Sequence, residues 1–150
     1  MLIATRVCLG LLAGAALLTA QTPDAAPDSK TRVNVYRYKQ YAGKGIRPSI
    51  YCDEKEMARI QSGRYFVVMA APGKHVFRSN DKQSQIELEL KPGQEYYIRV
   101  EIATGFWKGH GRLTLVMPEQ GAGELKQLKP VDKDMIVDHD LVVAGEVAGK

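Results

Sequence analysis

The stretch QIELELKPGQEYYIRVEI, residues 85–102, decides the fold. Ile86, Leu88 and Leu90 alternate with acids before the Pro92-Gly93 step, and Tyr96, Ile98, Val100 and Ile102 alternate with polar residues after it. A period of two is the repeat of a strand with one buried face, not of a helix. Proline presets φ near −65° at the second turn position and glycine accepts a positive φ at the third, which is the type II requirement. The reading is therefore two antiparallel strands joined by a turn, with Leu90 opposite Tyr96, Leu88 opposite Ile98 and Glu87 opposite Arg99. Pro72-Gly73 repeats the same turn chemistry and is expected to join two strands likewise.

The alternation extends in both directions. Arg32 to Tyr38 puts Val33 and Val35 on one face and Tyr36 and Tyr38 on the other, and Gly43, Gly45 and Pro48 break it. Ser49 to Cys52 and Met57 to Ile60 flank an acidic turn and form a short hairpin. Arg64 to Ala70 is apolar on both faces, the mark of a central strand. Arg112 to Met117 points Leu113, Leu115 and Met117 inward and stops at Pro118. Glu119 to Leu128 admits one short C-terminal helix carrying Leu125 and Leu128, despite Gly121 and Gly123. Breakers about every ten residues complete the signature of an all-β fold, a small antiparallel β-sandwich spanning residues 32–130. Residues 131–150 read as a weakly structured tail.

At 150 residues the chain suits one domain with one sizeable core. Its first twenty residues stand apart: Arg6 precedes an uncharged apolar run from Val7 to Leu18, and Ala20 precedes Gln21. This is a signal-peptide layout with cleavage after Ala20, followed by a flexible leader over residues 21–31, so the mature chain is expected outside the cytoplasm. Cys8 lies too early in the apolar run, behind Arg6-Val7, to be a lipidation site. Cleavage leaves Cys52 alone, buried on the face of Ile50, with no intrachain disulfide available. The 21 Lys and Arg residues are read as scattered among 17 Asp and Glu, which gives nucleic acid no footing but suits an anionic envelope.

Chemistry-bearing motifs are sparse. His75, His110 and His139 with Cys52 and Asp53 are the only candidate metal set, and they lack a close pair of the Cys-x-x-Cys or His-x-x-x-His kind, so no metal or other cofactor is expected. His75 shares a face with Phe77 and reads as a structural histidine at the core edge. Ser49, Ser62, Ser79 and Ser84 lie outside any nucleophile motif, and Glu87, Glu89 and Glu101 fall on the solvated face, so no catalytic residue is assigned. The candidate contact residues are the loop aromatics and cations Phe106, Trp107, Lys108, His110 and Arg112, and a second platform of Tyr36, Tyr38 and Tyr97.

Val35-Tyr36-Arg37, Tyr51-Cys52-Asp53 with Met57-Ala58, Gly63 to Phe66, Pro72 to His75, and Pro92-Gly93 leading to Tyr96 to Val100 occur in an order that resembles an uncharacterised exported bacterial family of unknown function, PEGA-like in style. The resemblance implies an Ig-like or transthyretin-like sandwich in the cell envelope and brings no reaction or catalytic residues. Members of such families often look like lipoproteins, whereas here the required cysteine is missing. The expectation is an exported non-enzymatic binding or structural module, its partner an envelope protein or glycan. Peripheral membrane contact through Trp107 and Lys108, and a small hydrolase or metal-dependent enzyme joining His75, His110 and an acid, are the alternatives.

Overall fold

Two sheets stack face to face in the computed structural model, which describes residues 30–41, 43–80, 82, 84–104, 109–143 and 145, with backbone alone at 104, 109 and 110. The signal segment and leader to residue 29 and the loop aromatics Phe106 and Trp107 with Lys108 lie outside the described residues. The strands are β1 (Thr31–Arg37), β2 (Ser49–Cys52), β3 (Lys55–Arg59), β4 (Arg64–Ala70), β5 (Gly73–Ser79), β6 (Gln85–Leu90), β7 (Glu95–Thr104) and β8 (Gly109–Val116). Helix α1 (Pro118–Leu125) follows, then β9 (Lys129–Pro130), a 3₁₀ turn (Lys133–Met135) and β10 (Val142–Val143). One sheet runs β10-β4-β1-β7-β8 with β9 also on β4, and the other runs β3-β2-β5-β6. The fold is an all-β sandwich, mostly antiparallel, with β1 and β7 paired parallel and β9 parallel to β4.

The alternation puts the expected side chains inside. Val33, Val35, Phe66, Val68, Ile98 and Val100 of the larger sheet meet Ile50, Met57, Phe77, Leu88 and Leu90 of the smaller one in a single core. Burying each contributes roughly 1.5–3 kcal/mol before the entropy of ordering is charged against it.

Pro92-Gly93 has the expected turn chemistry and an unexpected role, whereas Gly73, at φ 128°, already opens β5 and no type II turn forms there. Gln94 N–H donates to the Lys91 carbonyl at 3.2 Å and Gly93 takes φ 72°, as a type II turn requires. Yet β6 pairs with β5 and β7 with β1 and β8, so the turn crosses from one sheet to the other. Pro72-Gly73 crosses likewise from β4 to β5. The predicted pairs Leu90–Tyr96, Leu88–Ile98 and Glu87–Arg99 therefore do not form: Leu88 faces His75, Glu87 faces Val76, and Arg99 lies between Tyr36 and Thr114. Side-by-side strands and strands stacked across a core need the same apolar alternation, so the pattern cannot separate them. The arch is clasped by Tyr96, whose hydroxyl accepts from Lys91 N–H at 3.0 Å and donates to the Glu89 carbonyl at 3.0 Å.

Two further expectations are corrected. Leu115 pairs with Ile98 and so shares the inner face, but β8 is an edge strand and Leu115 stays 48% exposed, with Met117 at 70%. The supposed loose tail is packed through residue 143: Val131, Ile136 and Val142 are buried in the main core, and β9 and β10 hydrogen-bond the outer edge of β4. Asp138, 2% exposed, pairs with Lys55 at 2.6 Å and accepts the backbone N–H groups of Asp140 and Leu141, tying this segment to β3.

A basic cleft as the candidate functional site

The loop after β1 is shaped by a buried cation. Arg37 is wholly buried, and its guanidinium donates to the carbonyls of Ile46 at 2.6 Å and Gly43 at 2.8 Å. Ile46 N–H closes the same turn onto Gly43 at 2.9 Å. Burial lowers the Arg37 pKa, and among the described residues it has no carboxylate partner. A buried guanidinium held only by carbonyls is costly, and here it fixes the loop that carries Lys44 and Arg47.

The opposite wall is the β3–β4 turn. Gly63, at φ 75°, donates its N–H toward the carbonyls of Arg37 and Tyr38, each at 3.1 Å, and accepts from Lys129 N–H at 3.3 Å. The Ser62 hydroxyl accepts from Gln40 N–H at 3.0 Å and donates to the Tyr38 or Gln40 carbonyl. Between these walls lies a cleft of about 430 Å³ lined by Lys39, Lys44, Arg47, Arg64 and Lys129, with amides from Gln61 and Gln127. No acid is among its described lining residues. Arg64 is held by Asp132 at 3.3 Å and by the Pro130 carbonyl. Lys39, Lys44, Arg47 and Lys129 have no carboxylate partner among the described residues. Such a cavity is of the size that admits a small ligand, and the charged residues among its described lining are all cations.

Of the predicted contact residues, Phe106, Trp107 and Lys108 lie outside the described residues, while the three tyrosines share one face of the larger sheet but do not form an exposed platform. Tyr36 and Tyr97 are buried at 0% and 5% exposure, and Tyr38 is half-buried with its ring 6.0 Å from that of Tyr36. Helix α1 covers this face: Tyr36 donates its hydroxyl to Glu124, and Gly121 lies directly on the Tyr97 ring. Burial, reinforced by the Glu95 carboxylate, pushes the Tyr97 phenol up to about 12, and burial with Glu124 raises that of Tyr36 further. Alternation correctly set these rings opposite the main core, but the helix that buries them is remote in sequence. Arg112 is exposed opposite Glu101, and the His110 backbone pairs with Ala103.

The cleft itself was overlooked, although a signal for it exists. Between Asp28 and Asp53 the chain carries Lys30, Arg32, Arg37, Lys39, Lys44 and Arg47 and no acid at all. Global balance hides this local excess, and Lys129 joins it only through the β4–β9 pairing.

Fold and cleft define a small all-β module that gathers cations on one side. The chain belongs to the family described as "Protein of unknown function (DUF2846)", whose model matches residues 27–111. The match takes in Lys39, Lys44, Arg47 and Arg64 and ends within β8, so α1, β9 and Lys129 lie beyond it. No match was found among curated proteins or among solved structures.

Proposed function

We propose that the chain is an exported, non-enzymatic binding module of the cell envelope whose basic cleft takes an oxyanion group, phosphate or carboxylate, of an envelope polymer. The observation that carries this reading is the convergence of Lys39, Lys44, Arg47 and Lys129 on one cleft without carboxylate partners among the described residues. Lysine and arginine so placed attract and orient an anion, and the neighbouring amide of Gln127 can donate to it, while Gln61 Nε2 donates to Asp132 at 2.9 Å. The signal-peptide layout of the first twenty residues supports placement outside the cytoplasm, where anionic polymers are the abundant partners.

The test compares retention of the protein on a poly(glycerol phosphate), on a polygalacturonate and on neutral dextran at low and physiological salt. One anionic polymer should bind, weaken with salt, and lose about tenfold or more in affinity in the variant K39A/K44A/R47A, about 1.4 kcal/mol in all. Equal retention of wild type and triple variant, or equal binding to dextran, would reject the cleft. Which anionic polymer binds decides between phosphate and carboxylate.

A further inference from the structure

We propose that Cys52, Asp53 and His75 form a binding site for one zinc-class divalent cation, built where the β2–β3 turn meets β5. The β2–β5 register sets Cys52 opposite Phe77, so His75, two residues earlier on the same face, projects past the end of β2 over Asp53. One ligand atom from each residue lies within 4.8 Å of the other two: Cys52 Sγ is 3.9 Å from His75 Nδ1 and 3.8 Å from Asp53 Oδ2, and Nδ1 is 2.6 Å from Oδ2. Sulfur, imidazole and carboxylate are the donor types that zinc accepts, and three protein ligands leave a fourth position open.

The surroundings orient these donors as metal sites require. His75 Nε2 donates to the Ala71 carbonyl at 2.8 Å, which leaves Nδ1 as the ligating nitrogen. Asp53 Oδ1 accepts Val76 N–H at 2.9 Å, which turns Oδ2 toward the sulfur and the ring. Asp53 and Glu54 both take left-handed backbone, φ 49° and 67°, where Asn-Gly would be at ease. The turn is held in that conformation by Glu54, whose two carboxylate oxygens accept from Arg78 Nε at 2.9 Å and Nη2 at 2.8 Å. The Asp53 side chain is 51% exposed, so an ion can enter from that side.

In the metal-free geometry His75 Nδ1 lies against Asp53 Oδ2 and Cys52 is a thiol whose pKa burial pushes up to about 12. Binding forms metal bonds to Sγ, to a proton-free Nδ1 and to Oδ2, and releases the thiol proton to solvent, so affinity rises with pH. Asp138, paired with Lys55, also acts on the thiol from the C-terminal segment. Tetrahedral coordination requires the N–O separation to open to about 3.3 Å and the two sulfur separations to close to about 3.6 Å, small movements in an exposed turn.

The full chain carrying Cys8→Ser, so that Cys52 is its one thiol, is stripped with chelator and titrated with Co²⁺ and Zn²⁺. One equivalent of cobalt should bind with a near-ultraviolet sulfur-to-cobalt charge-transfer band, which zinc then abolishes. His75→Gln and Cys52→Ser should each weaken zinc binding by about a hundredfold or more, and His139→Gln should leave it unchanged. A Cys8→Ser chain, otherwise unaltered, that lacks the charge-transfer band overturns the proposal without recourse to any variant at the site, as does tight binding that survives both substitutions.

Discussion

The six-stranded sheet has two faces that alternate equally well and are buried by different means. Its inner face meets the second sheet through aliphatic and phenylalanine side chains, with Val33, Val35, Phe66 and Ile98 fully buried. Its outer face carries Tyr36, Tyr65, Val67 and Tyr97 and is closed by α1 through Leu125, with Ala122 and Leu128 beside it. The inner contact needs no polar partner. The outer one buries phenols, and each buried hydroxyl requires an acceptor, which is why Glu124 reaches back from the helix to Tyr36. A wholly apolar face is thus decided by burial alone, whereas a face of tyrosines depends on what is laid over it.

The sharpest way to break this contrast is Phe66→Ala. Phe66 sits at 0% exposure in the inner core, and its truncation should cost about 3–5 kcal/mol and lower the denaturant midpoint of the whole fold in one cooperative step. A loss below about 1 kcal/mol would mean that the inner face is not where stability resides. Next in size is Gly121→Val. A Cβ added there would run into the Tyr97 ring, so the helix must lift, at a cost of about 1–3 kcal/mol. Nitration of Tyr36 and Tyr97 should rise while the sheet signal in far-ultraviolet circular dichroism stays. Continued protection of both rings would refute the close helix contact.

The smallest effect sharpens the polar side of the comparison. Burial pushes the Glu124 carboxyl up, but the Tyr36 and Tyr38 hydroxyls, the Gln120 amide and Arg99 together leave it below its ordinary value. Its folded pKa being depressed, the unfolded state binds the proton more readily, so this stabilisation is present above the usual Glu value near 4.3 and is lost as pH falls through the folded value. Glu124→Gln should cost about 1 kcal/mol at neutral pH and flatten the acid side of the stability profile. An unchanged slope between wild type and variant would show that the carboxylate does not hold the outer layer.

Much of the fold was legible because strand periodicity is a local property. Every inward position of β7 and the apolar faces of β1 and β6 follow from alternation, and the acidic turn at Asp53-Glu54 was in place between β2 and β3. The pairing of β6 with β7 was misread because a Pro-Gly turn specifies its own dihedrals and not the sheet its second strand joins. The helix was legible from Leu125, although it ends there and leaves Leu128 beyond it, and Gly121 counted against it. That glycine is what lets the helix backbone reach Tyr97. The candidate cleft was hidden for a different reason, since ion pairing depends on distance in space while charge counts run along the chain.

By itself the sequence determined which side chains of β1, β6 and β7 turn inward, that Gly93 takes the positive φ of its turn, and that Cys52 is buried. Tertiary structure alone decided which strands neighbour one another, that the tyrosine face is covered, that five cations share one cleft, and that a cysteine, an aspartate and a histidine 23 residues away converge. The physical reason is that backbone dihedrals and side-chain alternation are set within a few residues. Sheet neighbours, charge fields and donor clusters arise only when distant segments compete for the same apolar surface.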